Sequence, residues 1–518
     1  MVNLDGMAQA KQETERKYAA AAAEGIPWLP ELTAVPPVDS LAEGGMQEMD
    51  AVQYDTEDLR LTGTDASLRR RTGGTDAGWH LKLPPENDSR EEIQAPTSSE
   101  DVPGELRELV LSRTRGAPLR PVVRIRSTRS LHRLLDADGD LLAELSMDAV
   151  HAESLLESGG HAAWTEMEVE LADGGDPALL DDLEKVLRRN GVERVGSPAE
   201  AVRALAGTAG LPQRTPKKGR GVTAGSAGDH VLAYLDRMTA KLRDLDPAVR
   251  RDTPDAVHQM RTTARRLRNC LRSYRSVLAR DVTDPIRRDL RWLARALGAE
   301  RDHEVLNERL ASGVRELPGE LVRGPVAARL QAWDVAQRAE GRRRTLDALA
   351  SPRYLELLNR LAALTDAPPL RPKAAGKPRK VLVKALLKEY DRLAERMDRA
   401  LETPPGPERD AAIHHARKTA KRLRYAAETA GPALGKPAQR LRKRAKAVQQ
   451  VSGDQHDGVV AREALLRMAV SAHTAGETAF TWGLLYGEER AAAAARERQL
   501  PEAWARVHPA ARRKALRG

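Results

Sequence analysis

The chain has 518 residues, of which 41% are hydrophobic and 3% aromatic, and it contains one cysteine, Cys270. This length indicates more than one domain, and a single cysteine excludes an intrachain disulfide. No window approaches the roughly 18 uninterrupted apolar residues of a membrane helix, and the N-terminus lacks the pattern of a signal peptide. We therefore expect a soluble cytoplasmic protein.

Charge divides the chain into two unlike parts. Residues 1–210 hold 22 Lys+Arg and 39 Asp+Glu, whereas residues 211–518 hold 63 and 36. An acidic first part suits metal ligation by carboxylates, and a basic second part suits a polyanion such as nucleic acid, a phosphate polymer or an anionic membrane. A stretch rich in Gly, Pro, Thr and Lys predicts a flexible linker over 208–223, between a domain at 1–207 and another at 224–510.

The first domain has the pattern of antiparallel strands. Short segments of alternating character recur between turn residues, and a helical spacing appears over 177–205. Several strands carry charge on one face, at Glu13, Glu15 and Lys17, at Arg69 and Arg71, at Arg124 and Arg126, and at Glu166 and Glu168. One such stripe is usually a solvated surface, but its repetition favours a barrel with a charged interior.

That interior suits a metal-bound polyphosphate group. Basic side chains bind phosphate oxygens, and glutamates beside them would repel phosphate unless divalent cations bridged the two. Oxygen ligands together with phosphate favour Mg²⁺ or Mn²⁺ over softer metals.

These segments resemble the CYTH family, the triphosphate tunnel metalloenzymes, over about residues 9–207. ETERKY resembles the family's ExExK strand, and LRRRTGG, GWHLKLP, VVRIRSTR and TEMEVEL follow in the family's order. The resemblance implies an eight-stranded antiparallel β tunnel and metal-dependent hydrolysis of inorganic triphosphate. The implied metal ligands are Glu13, Glu15, Glu166 and Glu168, which with Lys17 would form the catalytic set. The implied triphosphate-binding residues are Lys17, Arg69, Arg71, Lys82, Arg124 and Arg126.

The second domain has helical spacing throughout, with runs that we expect to end at prolines such as Pro247 and Pro285. HQMRTTARRLR, from His258, returns as HHARKTAKRLR from His414, and LGAERDHEV from Leu297 returns as SGDQHDGVV. The two segments return at nearly one offset. This predicts two copies of a helical bundle, at about 224–365 and 380–510.

Each copy carries a basic stripe at helical spacing. A charge run on one helix is usually a solvated face, but few glutamates compensate these stripes, and like charge without compensation destabilises a helix. We therefore expect a long anionic ligand. The candidate binding residues are His258, Arg261, Arg265, Arg268, Arg272, Arg291 and Arg295 in the first copy, and His414, Arg417, Lys421, Arg424 and Lys446 in the second.

This half resembles the CHAD family over about residues 224–510, on the two His-to-Arg segments and the segments containing Asp302 and Asp457. The resemblance implies a pseudo-twofold pair of four-helix bundles that binds inorganic polyphosphate. The histidines could serve as phosphate donors, metal chelators or polar core residues. Scarce aromatic residues and the lack of a known reading motif make nucleic acid a poor candidate ligand.

The order of the two segments resembles CYTH-CHAD fusions. The leading hypothesis is a triphosphatase whose helical domain binds polyphosphate, without a membrane partner. The alternatives are a non-catalytic polyphosphate binder and an enzyme that acts on ATP or thiamine triphosphate, with Trp28 and Trp79 as candidate stacking residues. Polyphosphate binding would also allow a location on polyphosphate granules.

Overall fold

A computed structural model of the chain describes residues 9–19, 31–73, 77–84, 89–96, 100–157, 159–195 and 223–506. The chain divides into two compact units, Met1–Lys217 and Lys218–Gly518. The first is built on an antiparallel sheet and the second is helical, as the sequence predicted. No helix in the described part of the chain is both long and apolar enough to cross a bilayer.

Most strands of the first unit that are consecutive in the sequence are also neighbours in the sheet. They are β1 (Gln9–Ala19), β2 (Ser40–Asp55), β3 (Ser67–Thr72), β4 (Gly78–Lys82), β5 (Ser89–Ala95), β6 (Arg120–Leu135), β7 (Leu141–Ser154), β8 (His161–Leu171) and the short β9 (Glu193–Arg194). The spatial order is β5-β4-β3-β2-β6-β7-β8-β1-β9.

Strand β1 connects the two ends of this sheet. Its first half pairs with β5 over Gln9–Thr14, and its second half pairs with β8 over Glu15–Ala19. The pairings of β1 to β8 therefore return to their start, as a tunnel fold requires. In the described registers no residue of β1 pairs with both β5 and β8, so the barrel is not closed along the whole of this seam.

Two parts of the outer face of the sheet are apolar and are covered by helices. Helices α1 (Gly104–Leu109) and α2 (Leu111–Thr114) lie by β3, β4 and β5, where Trp79 is fully buried between Leu68 and Leu106 in one apolar cluster. Helix α3 (Ala178–Arg189) packs four leucines on the outer face of β1, β7 and β8. Because residues alternate along a strand, this leaves the charged residues of these strands on the opposite, tunnel face.

The second unit contains ten helices in its described residues. They are α4 (Ala227–Arg250), α5 (Ala256–Ser273), α6 (Arg280–Ala296), α7 (Gly298–Glu316), α8 (Val326–Ala350), α9 (Pro352–Asp366), α10 (Pro378–Glu402), α11 (Pro407–Leu434), α12 (Lys436–Thr474) and α13 (Phe480–Ala505). Local caps fix some of the starts: the Ser351 hydroxyl accepts from the backbone N–H of Tyr354, with Pro352 at the first helical position.

The expected helix ends at Pro247 and Pro285 are wrong, since α4 and α6 continue through both prolines. Proline removes one backbone hydrogen bond, but tertiary packing holds the helix here because Val249 and Ile286 are fully buried in the core.

The repeat is visible in the helices. α5 carries the first basic stripe and α11 the second, while α6 and α7 together correspond to the single helix α12. The helix is interrupted at Leu297, between α6 and α7. The corresponding residue of the second copy, Ser452, lies inside a continuous helix. Both large apolar clusters of this unit take residues from both copies, so the copies pack as one body.

Candidate functional site

The tunnel face of the first unit gathers buried carboxylates and cations. The strand registers place Lys17 opposite Glu168, and Lys82 opposite Glu92. Lys17 Nζ lies 3.5 Å from both Glu166 Oε1 and Glu168 Oε2, while Lys82 Nζ lies 2.9 Å from Glu92 Oε2 and 3.5 Å from Glu15 Oε2. Lys17 therefore bridges two carboxylates of β8, and Lys82 bridges one carboxylate of β1 and one of β5.

Glu15 and Glu168 have pKa values shifted in opposite directions. Burial raises the pKa of Glu15 to about 8, and the nearby charge of Glu168 adds to the effect. Burial would also raise the pKa of Glu168, but Lys17, the hydrogen bond from Glu15 and further cations hold it well below its usual range. Opposite shifts of this kind are the expected behaviour of two close buried carboxylates.

The donor chemistry of this pair fits a divalent cation. Glu15 Oε2 and Glu168 Oε1 are buried and accept no hydrogen bond within the described residues. Unsatisfied buried carboxylate oxygens suit a hard cation such as Mg²⁺ or Mn²⁺. Glu13 lies on β1 opposite Arg90, but its side chain lies outside the described part of the structure.

The predicted four-glutamate ligand set stays a prediction, because the Glu13 side chain lies outside the described residues. No group of three or more Asp, Glu, His or Cys residues there is arranged to hold a metal ion. Glu166 instead has both carboxylate oxygens occupied, Oε1 by Lys17 at 3.5 Å and Oε2 by the indole N–H of Trp164 at 2.9 Å. In this structure Glu166 therefore forms an ion pair with Lys17.

The basic residues predicted to bind triphosphate fall on two different faces. Arg69 and Arg71 are buried on the tunnel face, opposite His80 and Gly78 of β4. The placement of Arg124 and Arg126 in the tunnel is wrong. Both point to the outer face and pair with Asp50, at 3.0 Å and 3.6 Å, with side chains 41% and 60% exposed.

Arg124 and Arg126 face outward because apolar residues alternate with them along β6. Val123 and Ile125 point to the tunnel face and pack with Val150 and Ala152 of β7 in an apolar cluster. Alternation along the strand then directs Arg124 and Arg126 outward, because the β6–β7 pairing is regular through this region.

Arg129 and His80 are tunnel-face residues that the sequence pattern did not identify. Arg129 donates to both oxygens of Asp148, at 2.8 and 2.7 Å, and lies 3.6 Å from Glu168 Oε2. His80 Nδ1 forms a short hydrogen bond with Glu92. The Asp-rich turn over 136–140 was the available signal for Arg129, since counting back from it places Arg129 opposite Asp148.

The second unit has a central basic groove with a volume of about 600 Å³. Eight of the predicted binding residues line it, all on α5 and α11. The predicted residues that line it are His258, Arg261, Arg265, Arg268, Arg272, His414, Arg417 and Lys421. Further lining residues include Arg301, Arg309, Arg396, Lys418, Arg422 and Tyr425.

A second basic cavity of about 630 Å³ adjoins this groove. The predicted residues Arg291 and Arg295 line it, together with Arg287 and Arg288 of the same helix, α6. The predicted residues Arg424 and Lys446 line neither cavity. Arg424 instead lies over the ring of Tyr425, 4.6 Å from its centroid, and Lys446 is exposed on α12.

Each copy of the repeat forms an equivalent ion pair of its own at the groove wall. Arg261 donates to both oxygens of Asp302, at 2.6 and 2.9 Å, and Arg417 donates to Asp457 at 3.3 Å. The repeated aspartates are therefore counter-ions of the first arginine in each stripe, which orients the guanidinium group.

Most of the other groove cations lack such compensation and repel one another. Burial and the charges of Arg417 and Arg265 lower the pKa of Lys421 to about 7. Burial and Arg261 lower the pKa of Arg265 to about 10, and burial and Arg301 lower that of His258. These shifts indicate a site whose charge is costly until an anion enters it.

Comparisons with known proteins agree with this architecture. The family model of the CYTH domain matches residues 11–205, and that of the CHAD domain matches residues 233–466. The uncharacterized protein MT2285 of Mycobacterium tuberculosis (strain CDC 1551 / Oshkosh) is 36% identical over 515 residues, which covers 97% of each chain. The chain therefore belongs to the family of proteins that join a CYTH domain to a CHAD domain.

Two solved structures resemble the chain in part. PptA from Streptomyces chartreusis is 23% identical and covers 54% of this chain and 99% of its own, with a TM-score of 0.46. The CHAD domain from the plant Ricinus communis is 26% identical and covers 55% and 92%, with a TM-score of 0.44. Membership in the two domain families indicates a function in the chemistry or binding of phosphate chains.

Proposed function

We propose that the tunnel hydrolyses inorganic triphosphate or short polyphosphate and that the helical unit binds longer inorganic polyphosphate. The observation that carries the first part is the tunnel face, where the unsatisfied oxygens of Glu15 and Glu168 lie among Lys17, Lys82 and Arg129. Carboxylates and cations that alternate in this way suit a phosphate chain neutralised by a hard cation.

The chain's own residues would divide the work in the tunnel. Arg69, Arg71 and Lys82 would bind phosphate oxygens and align the chain, which supplies much of the catalysis in phosphoryl transfer. Glu15 and Glu168 would hold the cation, with Glu13 as a further candidate ligand on the same strand. A bound Mg²⁺ or Mn²⁺ supplies charge neutralisation and a more acidic water.

Proton movement falls to the Glu15–Glu168 pair in this proposal. The raised pKa of Glu15 favours a proton on the pair without the cation, and cation binding would displace that proton. A carboxylate freed in this way could orient the attacking water, so that no covalent enzyme intermediate is needed.

The helical unit would bind the phosphate polymer through its groove. Its lining combines the basic faces of α5 and α11, with few carboxylates beyond Asp302 and Asp457. An unbranched phosphate chain needs only cations, whereas single-stranded nucleic acid binding usually adds aromatic stacking platforms. Tyr425 is the aromatic residue on the lining, and Arg424 and Arg266 already lie over its ring.

A phosphate-release panel tests the tunnel assignment. Tripolyphosphate, ATP and thiamine triphosphate would each be incubated with the full chain in Mg²⁺ and in Mn²⁺. We expect preference for tripolyphosphate, because the candidate stacking residue Trp79 is buried in the outer core. The other candidate, Trp28, lies outside the described residues. Faster release from ATP or thiamine triphosphate would transfer the activity to an organic triphosphate.

A second candidate function is polyphosphate binding without turnover. It is favoured by the contacts of Glu166, whose two carboxylate oxygens accept hydrogen bonds from Lys17 and Trp164. Among the described side chains, Glu166 does not belong to a group arranged to hold a metal ion. Tripolyphosphate that binds tightly in either metal but releases no phosphate would support this candidate over hydrolysis.

A further inference from the structure

The cavity beside the central groove belongs almost wholly to one copy of the repeat. Arg265, Arg268, Arg272 and Lys418 line both this cavity and the groove, so the two adjoin. The other basic lining comes from α6 of the first copy. Only Lys418 comes from the second copy.

Helix α6 presents three arginines to this cavity without counter-ions among the described residues. Arg288, Arg291 and Arg295 are exposed and have no hydrogen-bond or ion-pair partner in the described part of the chain. The single carboxylate on the lining is Asp284, which is already paired with Arg280 and Arg287. Uncompensated arginines on one wall have the geometry of an anion site.

The equivalent region of the second copy keeps two of the three wall cations, since Arg288 and Arg291 correspond to Lys443 and Lys446, but it differs at the third. Buried positions of α6 match those of α12 at the repeat offset, since Ile286 corresponds to Leu441 and Leu293 to Val448. At that offset Arg295 corresponds to Gln450.

In the second copy, a carboxylate also replaces the last arginine of the basic stripe. Arg272 on α5 corresponds to Glu428 on α11. Glu428 accepts a hydrogen bond from Tyr234 at 3.1 Å and pairs with Arg266 at 3.2 Å. Glu428, neutralised by Arg266, stands where the first copy has a free cation, so the second copy offers less positive charge to a phosphate chain at this point.

We infer that a phosphate chain leaves the central groove in one direction only, over α6 of the first copy, where the Arg288–Arg295 wall forms a second subsite for linear polyphosphate. This inference rests on the proposed polyphosphate binding of the helical unit and assigns it a direction. A short chain fills the groove alone, and a long chain gains affinity by extending into the α6 cavity.

Two matched double variants of the full chain test this direction. R288Q with R295Q removes two charges from α6, and R442Q with K443Q removes two charges from the equivalent helix α12. All four side chains are exposed, so neither variant removes a core contact. Binding of tripolyphosphate and of long-chain polyphosphate would be measured by calorimetry at fixed ionic strength.

The α6 variant is expected to lose long-chain affinity by about tenfold or more, since two charge-assisted contacts are removed, and to keep its affinity for tripolyphosphate. The α12 variant is expected to keep both. Equal losses in the two variants would overturn the directional inference while leaving polyphosphate binding intact. If the unaltered protein bound no polyphosphate, or bound duplex DNA of matched charge as well, the proposed function itself would fail.

Discussion

At the scale of single residues, the tunnel depends on which arginines face inward. Arg129 touches Asp148 and Glu168, whereas Arg124 is on the outer face with Asp50. The two positions lie five residues apart on one strand, so alternation alone separates them.

Replacement of Arg129 is therefore expected to be the more damaging change. In R129Q we expect tripolyphosphate turnover to fall by about 100-fold, as for the loss of one well-placed electrostatic donor. R124Q would lose much less, because its side chain is away from the carboxylate cluster. Steady-state phosphate release from both variants, with thermal unfolding as the folding control, makes the comparison. A larger loss in R124Q would contradict the assigned face of β6.

Lys421 gives the groove a pH dependence. Its pKa of about 7 in the free protein reflects burial and the charges of Arg417, Arg265 and Arg261, opposed by Asp457. A bound polyanion would favour the charged form and raise this pKa. Above pH 7 the lysine must then gain a proton as the ligand binds, so affinity falls as pH rises from 7 toward the pKa of the complex.

The variant K421R isolates this effect. An arginine in the same place keeps its charge to higher pH, as Arg265 does with its pKa of about 10. We expect proton uptake on polyphosphate binding at pH 8 in the unaltered protein and less uptake in K421R, measured by calorimetry in two buffers of different ionisation enthalpy. Equal uptake in both proteins would remove Lys421 from this role.

At the scale of elements, two glycines set how closely helices approach the basic stripes. A Cβ at Gly298 would lie 3.3 Å from the guanidinium of Arg261, and a Cβ at Gly453 would lie 3.4 Å from that of Arg417. The glycines occupy equivalent positions of the repeat. Each one lets an arginine lie against the following helix and reach its aspartate, Asp302 or Asp457.

A larger side chain at Gly453 would displace Arg417. We expect G453V to weaken polyphosphate binding several-fold, because the displaced guanidinium loses its ion pair with Asp457 and its place on the groove wall. G431V is the matched control, since a Cβ at Gly431 meets no atom within 4 Å. Both carry the same helix-propensity change, so equal effects on binding would indicate a general loss of helix stability.

The same scale shows what the sequence could and could not predict. Helical spacing and the repeat predicted the second unit, because apolar periodicity is a local property. The strand pattern predicted the sheet but not the inward face of β6, since Arg124–Arg126 and Val123–Ile125 alternate equally well. That choice depends on packing against β7, which a single strand does not encode. The groove residue Arg396 was also missed, because α10 carries no repeated basic motif.

At the scale of the whole molecule, the charge division of the sequence corresponds to two kinds of site. The tunnel pairs most cations with carboxylates, whereas the groove of the helical unit leaves many cations uncompensated. Salt is expected to weaken ligand binding more in the groove than in the tunnel, because exposed charges are screened more than buried ones.

Polyphosphate binding by the full chain is therefore expected to weaken steeply with salt. Between about 50 mM and about 200 mM salt we expect a loss of affinity of at least about 100-fold, if six or more phosphates are contacted. The KM for tripolyphosphate in the tunnel would change much less. Parallel binding and kinetic titrations measure the two responses, and a flat binding curve would contradict a polyanion groove.

The central claim is that the buried glutamates of the tunnel support hydrolysis of a phosphate chain. Phosphate release from tripolyphosphate in Mg²⁺ or Mn²⁺ by the unaltered protein, E15Q and E168Q tests it directly. E48Q is the matched control, because Glu48 is an exposed residue on the outer face of β2.

We predict turnover in the unaltered protein and in E48Q, and its loss in E15Q and E168Q while both stay folded. Turnover that survives in E15Q and E168Q, or none in any of the four proteins with either metal, would contradict the claim.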